Sequence, residues 1–213
     1  MSDTQFNLPT EVIELPSKGL LYPEGHPLAE GKIEIKYMTA KEEDILTNQN
    51  YIKNGTVIDK LLQSLIMTKF NYNDLLVGDK NAIMIAARIL AYGGKYEVTY
   101  GGTQQEVDLA LLENKDIDES LFKEGKNRFS FKLPHTGNEI TFKLLTGHDE
   151  RKIEAELKGL KKISKTTSAE VTTRLFHTIT SVNGSEESKD IREFINNYFL
   201  AKDVREFRKF YSQ

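Results

Sequence analysis

Two stretches of this chain echo each other. Ile33, Ile35 and Tyr37 alternate with polar residues and lead into Thr39, with the acidic pair Glu42 and Glu43 three and four positions on. The pattern returns at 140–153, where Ile140, Phe142 and Leu144 lead into Thr146, followed at the same spacing by Asp149 and Glu150. Each copy is preceded by a Leu-Pro-x-x-Gly element, Leu15 to Gly19 in the first and Leu133 to Gly137 in the second. Alternation marks a half-buried strand, whereas Thr-x-x-Glu marks a helix start. A duplicated strand-to-helix step suits a scaffold or assembly part better than an enzyme built around one asymmetric site.

The fold class that follows is α+β: an internally duplicated strand-plus-three-helix unit with central antiparallel β-hairpins. Residues 1–30 read as an extended N-terminal arm. Pro16, Pro23 and Pro27 with Gly19, Gly25 and Gly31 make Leu15–Gly31 turn-rich, neither helix nor strand. Residues 31–94 form the first repeat: a strand, a helix over 40–49 capped by Thr39, a helix through Val57, Leu61, Leu62, Leu65 and Ile66, and a third beginning near Asp79 as N-cap and stopped by Gly93-Gly94.

Residues 95–138 form the hairpin region. Tyr96, Val98 and Tyr100, a Gly101-Gly102 turn, then Val107, Leu109 and Leu111 predict one hairpin; Glu113–Lys126 is a polar loop with a helical turn. Phe129, Phe131 and Leu133 pair with Ile140, Phe142 and Leu144 across the 134–138 turn. Residues 139–213 form the second repeat: a helix near 149–158, one through Val171, Leu175, Phe176, Ile179 and Val182 ended by Asn183-Gly184, and a last stretch in which Asp203 mirrors Asp79. The spacing between copies is 107 at the strand (140 less 33) and 124 at the aspartates (203 less 79), so about 17 residues enter the second copy, with 158–167 and 184–189 as natural places.

Composition narrows the function. A chain of 213 residues can bury a sizeable core. With 29 basic against 32 acidic residues the net charge is −3, which argues against a main task of neutralising nucleic-acid phosphate. There are no cysteines, hence no disulfide, thiolate zinc site or Cys nucleophile, and the histidines at 26, 135, 148 and 177 lack metal-ligand spacing. No apolar run approaches a membrane span of roughly 18 residues. Met1–Glu14 lacks the basic and apolar regions of a signal peptide, so the expected setting is a cytoplasm or a particle assembled there.

Local motifs dissolve on inspection. Leu133-Pro134-His135-Thr136-Gly137 spells a sortase sorting pattern, but it lies mid-chain before an amphipathic strand and reads as a hairpin turn. His148, Asp149 and Glu150 are consecutive and cannot face one ion from a helix, and Asp149 is explained by capping. Asp74 and Asp79 flank a glycine without the ligand spacing of a calcium loop. Neither Gly93-Gly94 nor Gly101-Gly102 belongs to a phosphate-loop motif. Lys158, Lys161, Lys162 and Lys165 form a basic cluster that reads as a solvated linker. Phe194, Tyr198, Phe199, Phe207, Phe210 and Tyr211 crowd one stretch near the C-terminus; most suit a core, while Phe207, Phe210 and Tyr211 are candidates to face a partner.

The arm from Leu15 to Pro23, the strand-to-Thr39 step with Glu42 and Glu43, and its echo at Thr146, Asp149 and Glu150 resemble the T4-like bacteriophage baseplate (hub) protein family, over about residues 13 to 211. The resemblance implies a non-enzymatic part of the tail baseplate hub of a contractile-tailed phage, acting through protein–protein contacts, or else a transient tail assembly chaperone, for example of the tape measure protein. A cell-envelope hydrolase is the remote alternative. The partners implied are other hub or tape measure proteins and an oligomer within the assembly, with no nucleic acid, membrane, cofactor, metal or catalytic residue. The partner-contact residues expected are Leu20, Leu21, Tyr22, Phe207, Phe210 and Tyr211.

Overall fold

A computed structural model describes residues 7–114, 118–122, 126–163 and 169–212. The chain is an α+β protein of helices and antiparallel sheets that divides into two compact units, one from Met1–Tyr72 and Gly78–Ile117, the other from Asn73–Val77 and Asp118–Gln213.

In the first unit β1 (Thr10–Glu14) pairs antiparallel with β2 (Lys32–Lys36), Ile13 opposite Ile33 and Glu11 opposite Ile35. The strand β1 was not expected, because its Thr-Glu-Val-Ile-Glu run is too short and too acidic to stand out. It forms because β2 offers it an edge. The 15–31 segment is turn-rich as its prolines and glycines predict, and it closes on itself through the Leu15 N–H to Gly31 carbonyl bond of 2.8 Å. Leu15 and Leu28 are buried, so the arm packs on its own unit.

Four α-helices follow where three were expected: α1 (Ala40–Thr47), α2 (Gln49–Asn54), α3 (Val57–Leu65) and α4 (Val77–Tyr92). The extra break is made by Asn48, whose side chain accepts from the N–H groups of Asn50 and Tyr51 and so starts α2. Helix α4 begins two residues earlier than read from the sequence. Asp79 therefore lies inside its first turn and does not cap it; its carboxylate is used elsewhere, as shown below. The strands β3 (Lys95–Tyr100) and β4 (Thr103–Asp108) then form a two-stranded sheet of their own. Leu109–Leu111 is a short 3-10 helix and does not extend β4, because Asp108 caps it by accepting from the Ala110 N–H.

In the second unit β5 (Phe129–Lys132) pairs with β6 (Glu139–Phe142) in the expected register, Phe129 opposite Phe142 and Phe131 opposite Ile140. The helices are α5 (Gly147–Ile163), α6 (Glu170–Thr178), α7 (Ser188–Asn197) and α8 (Ala201–Tyr211). The helix read through Val182 stops at Thr178. Residues Ile179–Val182 are instead β7, the third strand, antiparallel to β6. Ile179, Thr180 and Val182 are β-branched and suit a pleated surface, and the open edge of β6 takes them. The core gathers Leu133, Ile140, Phe142, Leu175, Ile191, Phe194, Phe199 and Phe207. Of the 158–167 segment read as an insertion site, residues 164–167 lie outside the described residues.

Candidate interaction surface

Among the described residues four carboxylates lie in the interior, and each is held by donors from its own unit. Glu42 accepts from the Thr39 N–H at 2.9 Å, the Thr39 hydroxyl at 2.7 Å, the Ser64 hydroxyl at 2.6 Å and the Lys36 ammonium at 2.8 Å. Burial pushes its pKa up, but Lys36, Ser64 and Thr39 outweigh burial and hold it at about 2. Asp149 repeats the arrangement with the Lys143 ammonium at 2.7 Å and the Thr146 N–H and hydroxyl, each at 3.1 Å, and it too lies below the ordinary range once these bonds overcome burial. In both places the cation stands three residues before the threonine, a signal present in the sequence that was not assigned a role.

Asp79 and Asp203 serve the two Leu-Pro-x-x-Gly turns. Asp79 accepts from the Ser17 N–H at 3.0 Å, the Ser17 hydroxyl at 2.7 Å and the Tyr22 hydroxyl at 2.7 Å. Asp203 accepts from the His135 N–H at 2.9 Å, the Thr136 N–H at 3.1 Å and the Thr136 hydroxyl at 2.8 Å. Each sits in the first turn of its helix, where the helix N-terminus favours negative charge. Burial wins at Asp79 and raises its pKa. At Asp203 burial also acts upward, but the two backbone N–H groups and the Thr136 hydroxyl prevail and lower it.

The candidate catalytic clusters come apart. His148 pairs with Asp74 at 3.0 Å, Asp149 caps α5, and Glu150 pairs with Arg174 at 2.7 Å, so three consecutive side chains serve three different partners. The Asp74 and Asp79 carboxylates likewise part, to His148 and to Ser17 and Tyr22. A cleft of about 190 Å³ between α5, α6 and α7 is lined by Glu156, Phe176 and Arg192. There Glu156 bonds His177 at 3.0 Å and Arg192 at 3.3 Å, and the Arg192 guanidinium lies 3.6 Å from the Phe176 ring centre. These contacts hold the Glu156 pKa down against burial and tie up its oxygens. Sequence reasoning missed this trio, whose members come from three separate helices. Among the described residues no group of three His, Asp or Glu side chains could hold a metal ion, and no helix is long and apolar enough to cross a membrane.

The expected contact residues divide. Phe207 is 1% exposed and packs among the Phe131, Phe142 and Phe199 rings; Tyr22 is buried with its hydroxyl on Asp79. Leu20, Leu21, Phe210 and Tyr211 keep partial exposure. Lys158, Lys161 and Lys162 line the exposed end of α5, while Lys165 lies outside the described residues. A surface the sequence reading passed over is the β3–β4 hairpin, where Tyr96, Tyr100 and Val107 are all exposed, Tyr100 at 79%.

A protein family described as T4 bacteriophage base plate protein matches residues 9–210. The chain belongs to that family. No match to it was found among curated proteins or among solved structures. This baseplate protein is thus a structural component of the phage tail baseplate, and its membership points to contacts with other phage proteins. The use of its buried carboxylates as internal anchors fits that role.

Proposed function

We propose that this baseplate protein is a non-enzymatic part of the tail baseplate hub, assembled in the host cytoplasm, that acts through protein–protein contacts with other hub or tape measure proteins. The observation that carries the reading is the division of labour among its side chains: the buried carboxylates Glu42, Asp79, Asp149 and Asp203 anchor the fold, while large apolar side chains such as Tyr100 and Leu111 stand in solvent. Large exposed aromatics dominate interface energetics, and a chain that leaves them uncovered is suited to receive a neighbour. The partly exposed Leu20, Leu21, Phe210 and Tyr211 belong to the proposed contact set.

We further propose that the two units are copies of one element. The Lys-x-x-Thr-x-x-acid step and the aspartate-held Leu-Pro-x-x-Gly turn occur once in each. The spacing between copies supports this. It is 107 at the caps (149 less 42), 113 between the starts of α3 and α6 (170 less 57) and 124 between the starts of α4 and α8 (201 less 77). The second step falls where α7 stands between α6 and α8, while the chain between α3 and α4 has only a short 3-10 turn, Tyr72–Asp74.

Mass spectrometry of purified virions, with this chain quantified against a known hub protein, tests the reading. A ratio near a small whole number is the expected result. Absence from virions with abundance in infected cells would make the protein an assembly chaperone instead.

A further inference from the structure

The β3–β4 hairpin is a two-stranded sheet that neither β1–β2 nor β5–β6–β7 extends. Such a hairpin is marginal in water unless one face or one edge is covered. Its register, Tyr96 opposite Val107, Val98 opposite Gln105 and Tyr100 opposite Thr103, puts Tyr96, Val98, Tyr100 and Val107 on one face. The other face carries Lys95, Glu97, Glu106 and Asp108. Arg88 covers part of the apolar face from α4, its guanidinium 5.6 Å from the Tyr96 ring centre and 4.9 Å from that of Tyr92.

The turn decides which backbone groups point outward. Gly101 and Gly102 have φ of 58° and 81°, the two-residue turn with positive φ at both positions that only glycine and a few polar residues accept. Across such a turn Tyr100 and Thr103 exchange backbone hydrogen bonds, and the exchanging pairs recur at every second residue. The Leu109 N–H to Gly94 carbonyl bond of 2.8 Å continues the same series beyond the strand ends. Tyr96, Val98 and Tyr100 therefore bond inward to β4. The N–H and C=O groups of Lys95, Glu97 and Thr99 face out along an edge to which no strand is added among the described residues.

We propose that this edge pairs with the same edge of a second copy of the chain, antiparallel about a twofold axis at Val98. The pairing continues the two sheets as one of four strands, β4–β3–β3–β4. In that register Glu97 exchanges backbone bonds with Thr99 of the other copy, Tyr96 faces Tyr100 of the other copy, and the two Val98 side chains meet at the axis. The apolar stripe becomes continuous across both copies, with aromatic pairs at the spacing that stabilises adjacent strands. Of the two neighbouring registers that also match the outward groups, one sets Glu97 against Glu97 of the other copy, and like charges directly opposed are unfavourable; the other centres on Thr99 and sets Tyr96 against Gly102 of the other copy, a turn residue outside the strand. The edge of β4 is unsuited to the same use, because its outward residues are Gln104, Glu106 and Asp108 and its apolar contribution is Val107 alone. Its acidic residues also stop further strand addition, so the assembly closes as a dimer and does not grow into a fibre.

The inference rests on the strand edge and on no part of the hub assignment, so either can fail alone. Its test uses the full chain, whose lack of cysteine makes an introduced thiol unambiguous. At a twofold axis through Val98 the two Cα atoms lie in a non-hydrogen-bonded pair about 4.5 Å apart, within disulfide range. Val98→Cys is therefore expected to convert to a covalent dimer on mild oxidation at tens of micromolar protein. Gln105→Cys, on the same face but on β4, should form no covalent dimer under the same conditions, and the unmodified chain should sediment as a dimer that Val98→Glu dissociates while circular dichroism is unchanged. A monomeric unmodified chain, or equal cross-linking of the two cysteine variants, overturns the proposal. So does cross-linking that dilution abolishes while the β3 edge is taken by a different chain in virions.

Discussion

Thr136 donates its hydroxyl to Asp203 at 2.8 Å across 67 residues of sequence, and in doing so fastens the β5–β6 turn to the first turn of α8. Asp79 fastens the 15–19 turn in the other unit with a similar set of three bonds, but the donors differ in kind. At Asp203 each carboxylate oxygen receives a backbone N–H, from His135 on one side and Thr136 on the other. At Asp79 one oxygen receives the Ser17 N–H and the other receives two hydroxyls, from Ser17 and Tyr22.

That difference predicts unequal losses from the same substitution. A hydroxyl can turn round and accept, whereas a backbone N–H cannot. In Asp79→Asn the amide oxygen can keep the Ser17 N–H while the amide nitrogen donates to the two hydroxyls, and stability should fall by less than about 1 kcal/mol. In Asp203→Asn either orientation sets an amide nitrogen against a backbone N–H, and an unsatisfied buried donor costs about 1–3 kcal/mol. The raised pKa of Asp79 and the lowered pKa of Asp203 point the same way, since a site that favours the protonated acid tolerates a neutral amide. Urea midpoints of the two variants measure it; equal losses would show that the donor types do not matter.

The glycines that close the two Leu-Pro-x-x-Gly turns should also part. Gly19 and Gly137 have φ of 79° and 73°, a region that costs an L-residue about 1–2 kcal/mol. A Cβ on Gly137 would meet open space. One on Gly19 would lie 2.3 Å from the Ala29 carbonyl oxygen, which is backbone and cannot step aside cheaply. Gly137→Ala should therefore lower stability by about 1 kcal/mol, and Gly19→Ala by at least twice that with loss of the 15–31 fold, read by thermal melts and by faster proteolysis near Lys18.

Acid should weaken the protein through three of its buried carboxylates. Glu42, Asp149 and Asp203 all have folded-state pKa values below their ordinary values. For such groups the unfolded chain takes up protons first, so their stabilisation is complete above the ordinary carboxylate range and is lost as pH falls toward the depressed value, about 2 for Glu42. Urea midpoints are predicted to be flat from pH 7 to about 5.5 and to fall steadily below about 4.5. Glu42→Gln should lower the neutral-pH midpoint and flatten the acid slope. An unchanged slope would mean that Glu42 is not the titrating group.

Much of this was written locally in the sequence. The alternating Ile33 and Ile35, the Thr39 to Glu42 and Thr146 to Asp149 caps, the Gly101-Gly102 turn and the Phe129 to Phe142 register all depend on neighbours within a few residues, and all are found. What the sequence concealed depends on distant partners. Ile179 and Val182 carry helical spacing and become a strand only because β6 leaves an edge open. Thr10–Glu14 is a strand only beside β2. Asp79 has the makings of an N-cap, yet its carboxylate is claimed by Ser17 and Tyr22 across 62 and 57 residues. Phe207 looked like an interface aromatic because aromatic clustering alone does not say which side of a helix the core lies on; the Phe131 ring tilted against it and the Phe142 ring edge-on to it decide that.

The arm gives the last prediction. Deleting residues 1–30 would remove β1 from the edge of β2, uncover the buried Ile33 and Ile35, take away Leu15 and Leu28, and leave the Asp79 carboxylate without Ser17 and Tyr22. Each buried leucine contributes about 1.5–3 kcal/mol, and a buried carboxylate stripped of its donors adds a further penalty. A chain of this length loses about 2–4 °C of melting temperature per kcal/mol, so the truncation should lower the melting temperature by more than about 10 °C. The milder pair Leu20→Ser and Leu21→Ser alters partly exposed positions of the same arm and should leave the melting temperature within a few degrees. If that pair nevertheless blocks incorporation into baseplates, the arm folds on its own unit and presents Leu20 and Leu21 outward. A truncated chain that melts like the intact one would instead mean that the arm docks on another subunit.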